Sequence, residues 1–211
     1  MDLAKHIDHS LLRPDLTQKD LEEHVGRCVS LGVYCICVNP YWVRKAVELS
    51  GEKLVVCSVV SFPLGLDTKE QKLLQALKAL EDGAKELDIV MNISAFKSGL
   101  YRYVEEELKT LSRNTEGAIR KVIIETAYLK EEEKKKAVEL LTNTGVEFVK
   151  TSTGFASKGA TEEDVKLLVE LSAGKLKVKA SGGIRAKEQA LRFLALGANR
   201  IGTSSTFDIL K

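Results

Sequence analysis

The chain is poor in the features that would tie it to an oxidising compartment, a membrane or a nucleic acid. Its four cysteines (Cys28, Cys35, Cys37, Cys57) lie in apolar surroundings and form no CxxC pair. Cys35 and Cys37, two apart on a strand, share a face and are poorly placed to bridge each other. They read as reduced, buried thiols rather than a disulfide or metal framework, and so point to the cytoplasm. No apolar run approaches membrane-spanning length, and the opening "MDLAKHIDHS" lacks a signal-peptide core. With a net charge of +2 and Lys and Arg spread along the chain, there is no basic arm or stripe, so a nucleic-acid partner is not expected. There is no linker, low-complexity tract or composition shift. The 211 residues, 44% hydrophobic, read as one domain over 1–211.

What is present is alternation. Short β-rich runs occur at 34–38, 54–60, 86–91, 120–125, 147–151, 176–180 and 200–203. Between them Leu73, Leu77 and Leu80 keep helical spacing, as do Val104, Leu108 and Leu111, and Val165, Leu168 and Val169. Thr17 with Asp20, and Thr161 with Asp164, predict capping boxes at two helix starts. Strands alternating with helices, without hairpin signals, argue for a parallel sheet.

A weak internal repeat selects the kind of sheet. Four helices end in glycine ahead of a strand: "GVYCIC" from Gly32, "GAKELD" from Gly83, "GVEFVK" from Gly145 and "GANRIG" from Gly197. The fourth residue after each glycine is apolar (Ile36, Leu87, Val149, Ile201), and alternation turns it outward beneath the helices. The fifth, Cys37, Asp88, Lys150 or Gly202, points the other way. One further strand separates successive repeats, and "HIDHS" at 6–10 supplies an eighth. Alternate strands contribute the four side chains of one interior layer in an eight-stranded barrel. An open sheet covered on both faces would want apolar residues on each side, whereas here one face carries Asp and Lys. The expected fold is a (β/α)8 barrel.

Asp88 and Lys150 then share an interior layer. In the strand 176–180, Val178 faces outward, so Lys177 and Lys179 face inward, with Lys179 nearer the C-terminal end where barrel active sites lie. A structural ion pair between Asp88 and one lysine would be unremarkable. Two lysines to one aspartate leave an ammonium short of a partner, at a cost of several kcal/mol. A neighbouring ammonium and partial desolvation also disfavour protonation of a lysine. The free amine is a nucleophile able to form a Schiff base with a carbonyl, and a nearby carboxylate can move protons.

The loops "SGGIR" (181–185) and "GTSS" (202–205) follow the last two strands, the recurring phosphate position of such barrels. Glycines there let backbone N–H groups approach an anion, and Ser204 and Ser205 add hydroxyls. A lone Gly-Gly is ordinarily just a turn, so position carries most of the weight.

These residues, together with "IDHSLLRPD" (7–15), "CVNPYWV" (37–43), "VSFPLG" (60–65), "GAKELDIVMNI" (83–93), "KVIIET" (121–126), "FVKTSTGF" (148–155), "KASGGIR" (179–185) and "RIGTSS" (200–205), run nearly end to end. The sequence resembles the deoxyribose-phosphate aldolase family, class I aldolases with a (β/α)8 fold. The resemblance implies Lys150 as the Schiff-base lysine, Lys179 as the lysine that tunes it, and Asp88 as proton donor and acceptor. It further implies that Gly154, Gly182, Gly183, Gly202, Ser204 and Ser205 hold a substrate phosphate. The implied reaction is reversible cleavage of 2-deoxy-D-ribose 5-phosphate to D-glyceraldehyde 3-phosphate and acetaldehyde, with no cofactor and no metal, in a homo-oligomer. The alternatives are a class I aldolase or transaldolase acting on another sugar phosphate, and a non-catalytic sugar-phosphate-binding barrel.

Asp8, at the end of the first strand, reaches the substrate pocket or caps the turn before Leu11. Cys37 should face the pocket as a small apolar liner. His6 and His9 flank Asp8, but packing is expected of them rather than metal binding; His24 stands apart in sequence. "EEEKKK" (131–136) is a solvated helix face.

Overall fold

Strand and helix alternate throughout residues 2–211, the part of the chain that the computed structural model describes. The order is β1 (Ile7–Leu11), α1 (Gln18–Ser30), β2 (Cys35–Val38), α2 (Val43–Ser50), β3 (Val55–Val60), α3 (Lys69–Glu81), β4 (Glu86–Val90), α4 (Ile93–Lys97), α5 (Tyr101–Asn114), β5 (Ile119–Ile123), α6 (Glu131–Leu141), β6 (Phe148–Lys150), α7 (Glu162–Ser172), β7 (Lys177–Ser181), α8 (Lys187–Ala195), β8 (Arg200–Thr203) and α9 (Thr206–Ile209). The eight strands pair in parallel, in chain order, and β8 closes on β1. Among the described residues no helix is long and apolar enough to cross a membrane.

The strand register determines which residues meet inside. Followed once around the ring, the ladders return to β1 displaced by eight residues, the shear of a (β/α)8 barrel. Strand tilt therefore raises the level by one residue per strand, and alternate strands share a layer. Cys35, Glu86, Phe148 and Arg200 form the lower layer, Asp8, Cys57, Lys121 and Lys179 the middle one, and Cys37, Asp88, Lys150 and Gly202 the upper. The repeat read from the glycines is thus the upper layer. Ile36, Leu87, Val149 and Ile201 are fully buried under the helices, as alternation requires.

Local signals hold with three corrections. Thr17 and Asp20 form a complete capping box. Thr161 caps α7, but the Asp164 carboxylate turns away to Lys134, 2.5 Å off, so the reciprocal half is missing. α3 forms where Leu73, Leu77 and Leu80 predict a helix, yet its buried face is Lys72, Ala76 and Ala79, and Leu77 is exposed. Lys72 can be buried because its ammonium meets Glu107 of α5 at 2.7 Å and the Val90 carbonyl at 3.0 Å. Lys177 has inward parity but belongs to the N-terminal rim of the barrel, where it is exposed beside the Phe148 ring.

Gly197, after α8, has φ +102, and a Cβ there would come within 2.9 Å of Val169 on α7. Gly197→Ala is expected to cost about 2–3 kcal/mol in urea unfolding, combining left-handed strain with overpacking. Gly99→Ala, at φ +75 with open space around it, should cost only about 1 kcal/mol. Equal losses would show that the Val169 contact contributes nothing.

Candidate active site

Asp88 lies at the centre of the barrel interior with no exposed surface. Its Oδ2 accepts from Lys150 Nζ at 2.6 Å and from Lys179 Nζ at 2.7 Å, and its Oδ1 from Lys121 Nζ at 2.9 Å. The Cys57 thiol donates to Oδ1 at 3.3 Å, and Cys37 Sγ lies 3.8 Å from Oδ2. Burial alone would raise the Asp88 acid, but the three ammonium groups hold it well below the usual carboxylate range.

A second carboxylate completes the network from below. Asp8 Oδ2 accepts from Lys179 at 2.5 Å, and Asp8 Oδ1 from Arg200 Nε at 2.7 Å. Burial pushes the Asp8 acid up, but Lys179, Arg200 and Lys121 outweigh it and bring it to about 2. Glu86 takes Lys121 at 2.6 Å and Arg200 at 3.1 Å. Burial pulls the Lys179 ammonium down, yet Asp8 and Asp88 more than reverse this, so it stays charged. Lys121 is held charged in the same way, with Asp88 the leading partner. The interior thus contains four cations (Lys121, Lys150, Lys179, Arg200) and three carboxylates (Asp8, Glu86, Asp88), all essentially buried.

Above this network opens a cavity of about 490 Å³, lined by the ends of β1, β6, β7 and β8. Lys150 is the one of the four interior cations that lines it. Gly154, Gly182, Gly183, Gly202 and Ser204 line it too. Asp88, Lys179, Cys37 and Asp8 lie beneath the floor. For Asp8 neither sequence expectation holds: it neither lines the pocket nor caps a turn, because Lys179 and Arg200 bind it from within. Cys37 likewise packs against Asp88 rather than facing the cavity. Ser205 falls just outside the lining, its backbone N–H donating to Thr203 Oγ1 at 2.9 Å.

The small-residue loops are pressed together. A Cβ on Gly182 would meet Gly159 Cα at 2.9 Å and Gly154 Cα at 3.3 Å. Thr203 Oγ1 donates to the Ile184 carbonyl at 2.6 Å, and Ser181 Oγ to the Ser152 carbonyl at 2.5 Å, so the three loops are bonded to one another. Gly202 is small for a different reason, since a Cβ would lie 3.0 Å from Lys179 Cε. Arg13 and Arg185 bring exposed cations to the cavity wall.

Several residues escaped the sequence reading. Lys121, Glu86 and Arg200 obey the same alternation that identified Asp88 and Lys179, so the parity rule carried to every strand would have found them. His24 could not be found that way. It joins His9 only in space, with Nδ1 2.7 Å from His9 Nε2, while His9 Nδ1 meets Thr206 Oγ1 at 2.8 Å. Burial and the two neighbouring cationic groups, His24 and Arg27, bring His9 down to about 3, so it packs as a neutral ring. Among the described residues two groups of potential metal ligands occur, Cys35–Cys57–Glu86 and Cys37–Cys57–Asp88. Both carboxylates are already bonded to ammonium or guanidinium groups, so a cation would have to displace these.

Comparison with known proteins adds to this geometry. A family model described as "DeoC/LacD family aldolase" matches residues 3–209. A deoxyribose-phosphate aldolase of Aquifex aeolicus is 51% identical over 209 residues, covering 99% of this chain and 95% of that one. One from Thermococcus gammatolerans is 50% identical, covering 100% and 96%. Among solved structures, "QR15, an Aldolase" superposes with a TM-score of 0.97 at 50% identity, covering 100% of this chain and 95% of the other. The tetrameric deoxyribose phosphate aldolase of Aeropyrum pernix gives 0.92 at 35% identity, covering 99% and 89%. A buried lysine network beneath small-residue loops and a match over nearly the whole length lead to one conclusion: the chain belongs to the DeoC/LacD family of aldolases and is a lyase.

Proposed function

We propose that the chain is one catalytic domain that cleaves 2-deoxy-D-ribose 5-phosphate through a Schiff base on Lys150. The observation that carries this reading is the position of Lys150: its amine is bonded to Asp88 below and borders the cavity above, with the Gly/Ser loops on the same wall. The neutral amine attacks the aldehyde carbon of the open-chain sugar, and loss of water gives an iminium ion. Removal of the 3-hydroxyl proton breaks C2–C3 and releases D-glyceraldehyde 3-phosphate, the electron pair passing to the iminium nitrogen. The enamine is then protonated and hydrolysed to acetaldehyde. Asp88, through a water, exchanges protons at the nitrogen end, and Lys179 supplies the charge that discourages a second ammonium beside it. No cofactor is required, because the iminium is the electron sink.

In this reading the loops carrying Gly154, Gly182, Gly183, Gly202, Ser204 and Ser205 grip the phosphate, and remote binding energy orients the reacting carbons. Four free, buried cysteines support a reducing, cytoplasmic setting. The tetrameric relative and the exposed Leu64, Leu66 and Leu100 support a homo-oligomer.

Borohydride reduction in the presence of acetaldehyde is expected to leave an ethyl group on Lys150, located by peptide mass spectrometry. Label confined to surface lysines would overturn the mechanism. Lys179→Leu should lose about 10²-fold or more of the turnover at neutral pH. Wild-type rates at every pH would remove Lys179 from the mechanism. Ser204→Asp should depress kcat/KM for the phosphorylated sugar about 10²-fold, while plain deoxyribose, already a poor substrate, changes much less. Equal damage to both substrates in a folded variant would move the anion elsewhere.

A further inference from the structure

The phosphate grip proposed above uses backbone amides and hydroxyls, and one more group on the same cavity is equipped to hold an anion. His24, on α1, is half-buried and lines the cavity with Gly183, Arg185 and Ser204. Alternation turns Asp8 into the barrel, so His9 points out of it, beneath α1 and α9, with no exposed surface. There His9 Nε2 lies 2.7 Å from His24 Nδ1, and His9 Nδ1 lies 2.8 Å from Thr206 Oγ1. Phe207 packs against both rings, its centroid 4.9 Å from that of His9 and 5.2 Å from that of His24, with the Arg27 guanidinium 3.6 Å from it. His24 is thereby fixed against the residues that directly follow Ser204 and Ser205.

A bond between two ring nitrogens holds one proton, so one imidazole donates and the other accepts. Two arrangements satisfy the chain of contacts. In the first, the Thr206 hydroxyl donates to His9 Nδ1, His9 Nε2–H donates to His24 Nδ1, and a neutral His24 carries its proton on Nε2. In the second, His24 Nδ1–H donates to His9 Nε2 and His9 Nδ1–H donates to Thr206 Oγ1. The Thr206 hydroxyl then turns to the Thr203 carbonyl, 3.5 Å away. This second arrangement lets His24 carry two protons with no donor facing a donor, because a neutral His9 has become its acceptor. In both, Nε2 is the nitrogen left for the cavity that His24 lines, a neutral N–H in the first and a cationic one in the second.

We infer that His24 is a further binding residue for the substrate's phosphate group: its Nε2–H donates to the anion, and its ring takes a second proton as the anion binds, while His9 and Thr206 exchange donor and acceptor roles behind it. The inference rests on the phosphate reading given above. A doubly charged anion at hydrogen-bond distance favours the cationic ring. In the free protein, burial holds the His24 ring below the ordinary histidine range. Glu23 of α1 draws it up, Arg27 of α1 presses it down, and Asp20 of α1 and Arg13 of the β1–α1 loop add smaller effects of those two signs. His9 from β1 faces it as a neutral ring, and α9 presents the uncharged Phe207. A bound anion therefore raises a value that the free protein keeps low. Binding tightens as the pH falls from the raised value of the complex to the lowered value of the free protein, and the extra affinity is lost as the pH rises again.

Sulfate is the probe, because it keeps both charges where a phosphate monoester takes up a proton, at about pH 6. Its competitive inhibition of deoxyribose phosphate cleavage is measured between about pH 5 and about pH 8, the window in which histidine titrates, for wild type, His24→Leu, His24→Gln and Ser204→Asp. Wild type should bind sulfate about 10-fold more tightly at the acid end, and both His24 variants should lose that dependence. A second measurement needs neither activity nor a folded variant. The chain has three histidines, so their ring NMR signals can be followed one by one. Sulfate should raise the His24 midpoint by about one pH unit, the shift that a 10-fold change in affinity requires, and leave His6 where it was. Sulfate inhibition that Ser204→Asp weakens, with the His24 midpoint unmoved or the pH dependence intact in both His24 variants, would overturn the His24 contact and leave the phosphate reading standing. Inhibition unchanged by Ser204→Asp would put the anion away from the Gly/Ser loops and remove both.

Discussion

The site depends on Asp88 remaining ionised where water does not reach. An isolated carboxylate there would cost several kcal/mol or take up a proton. Lys121, Lys150 and Lys179 remove that penalty, and in doing so each is fixed in place. Lys150 is therefore aimed from beneath, by a carboxylate bonded on its other side to the rest of the barrel, and not by contacts in the cavity that a substrate would have to replace. Because Asp8 shares Lys179 and Glu86 shares Lys121 with Asp88, and Arg200 joins Asp8 to Glu86, no member is an independent pair. Removing one leaves a buried charge somewhere else, so effects on stability and on chemistry are coupled across three layers.

The vertical order of charge has a consequence for binding. The interior charges are bonded from layer to layer, Glu86 with Lys121 and Arg200, Asp8 with Lys179 and Arg200, and Asp88 with Lys121, Lys150 and Lys179, and Lys150 is the cation of this set that lines the cavity. Arg13 and Arg185 lie on the same cavity wall. A phosphorylated substrate thus meets a favourable field before it touches the Gly/Ser loops, and the low-dielectric floor strengthens it. The loops themselves are narrow for steric reasons. Gly154, Gly159 and Gly182 stack backbone on backbone, which holds their peptide groups at fixed spacing without any side chain between them.

Much of this was legible in the sequence because a barrel obeys parity. The glycine that ends a helix fixes the phase of the next strand, and two residues per repeat then decide what faces in. That logic reached Cys37, Asp88, Lys150 and Gly202 and the outward Ile36, Leu87, Val149 and Ile201. It was carried to one inward position per repeat, so Glu86 and Arg200, two residues earlier on the same strands, were passed over, as was Lys121 on a strand outside the glycine repeat. Parity also says nothing about height. Lys177 and Lys179 share a face, yet the tilt of the strands puts one at the solvent rim and the other in the middle layer. The meeting of His9 with His24 depends on how helices and loops fold over the strand ends, where no period applies.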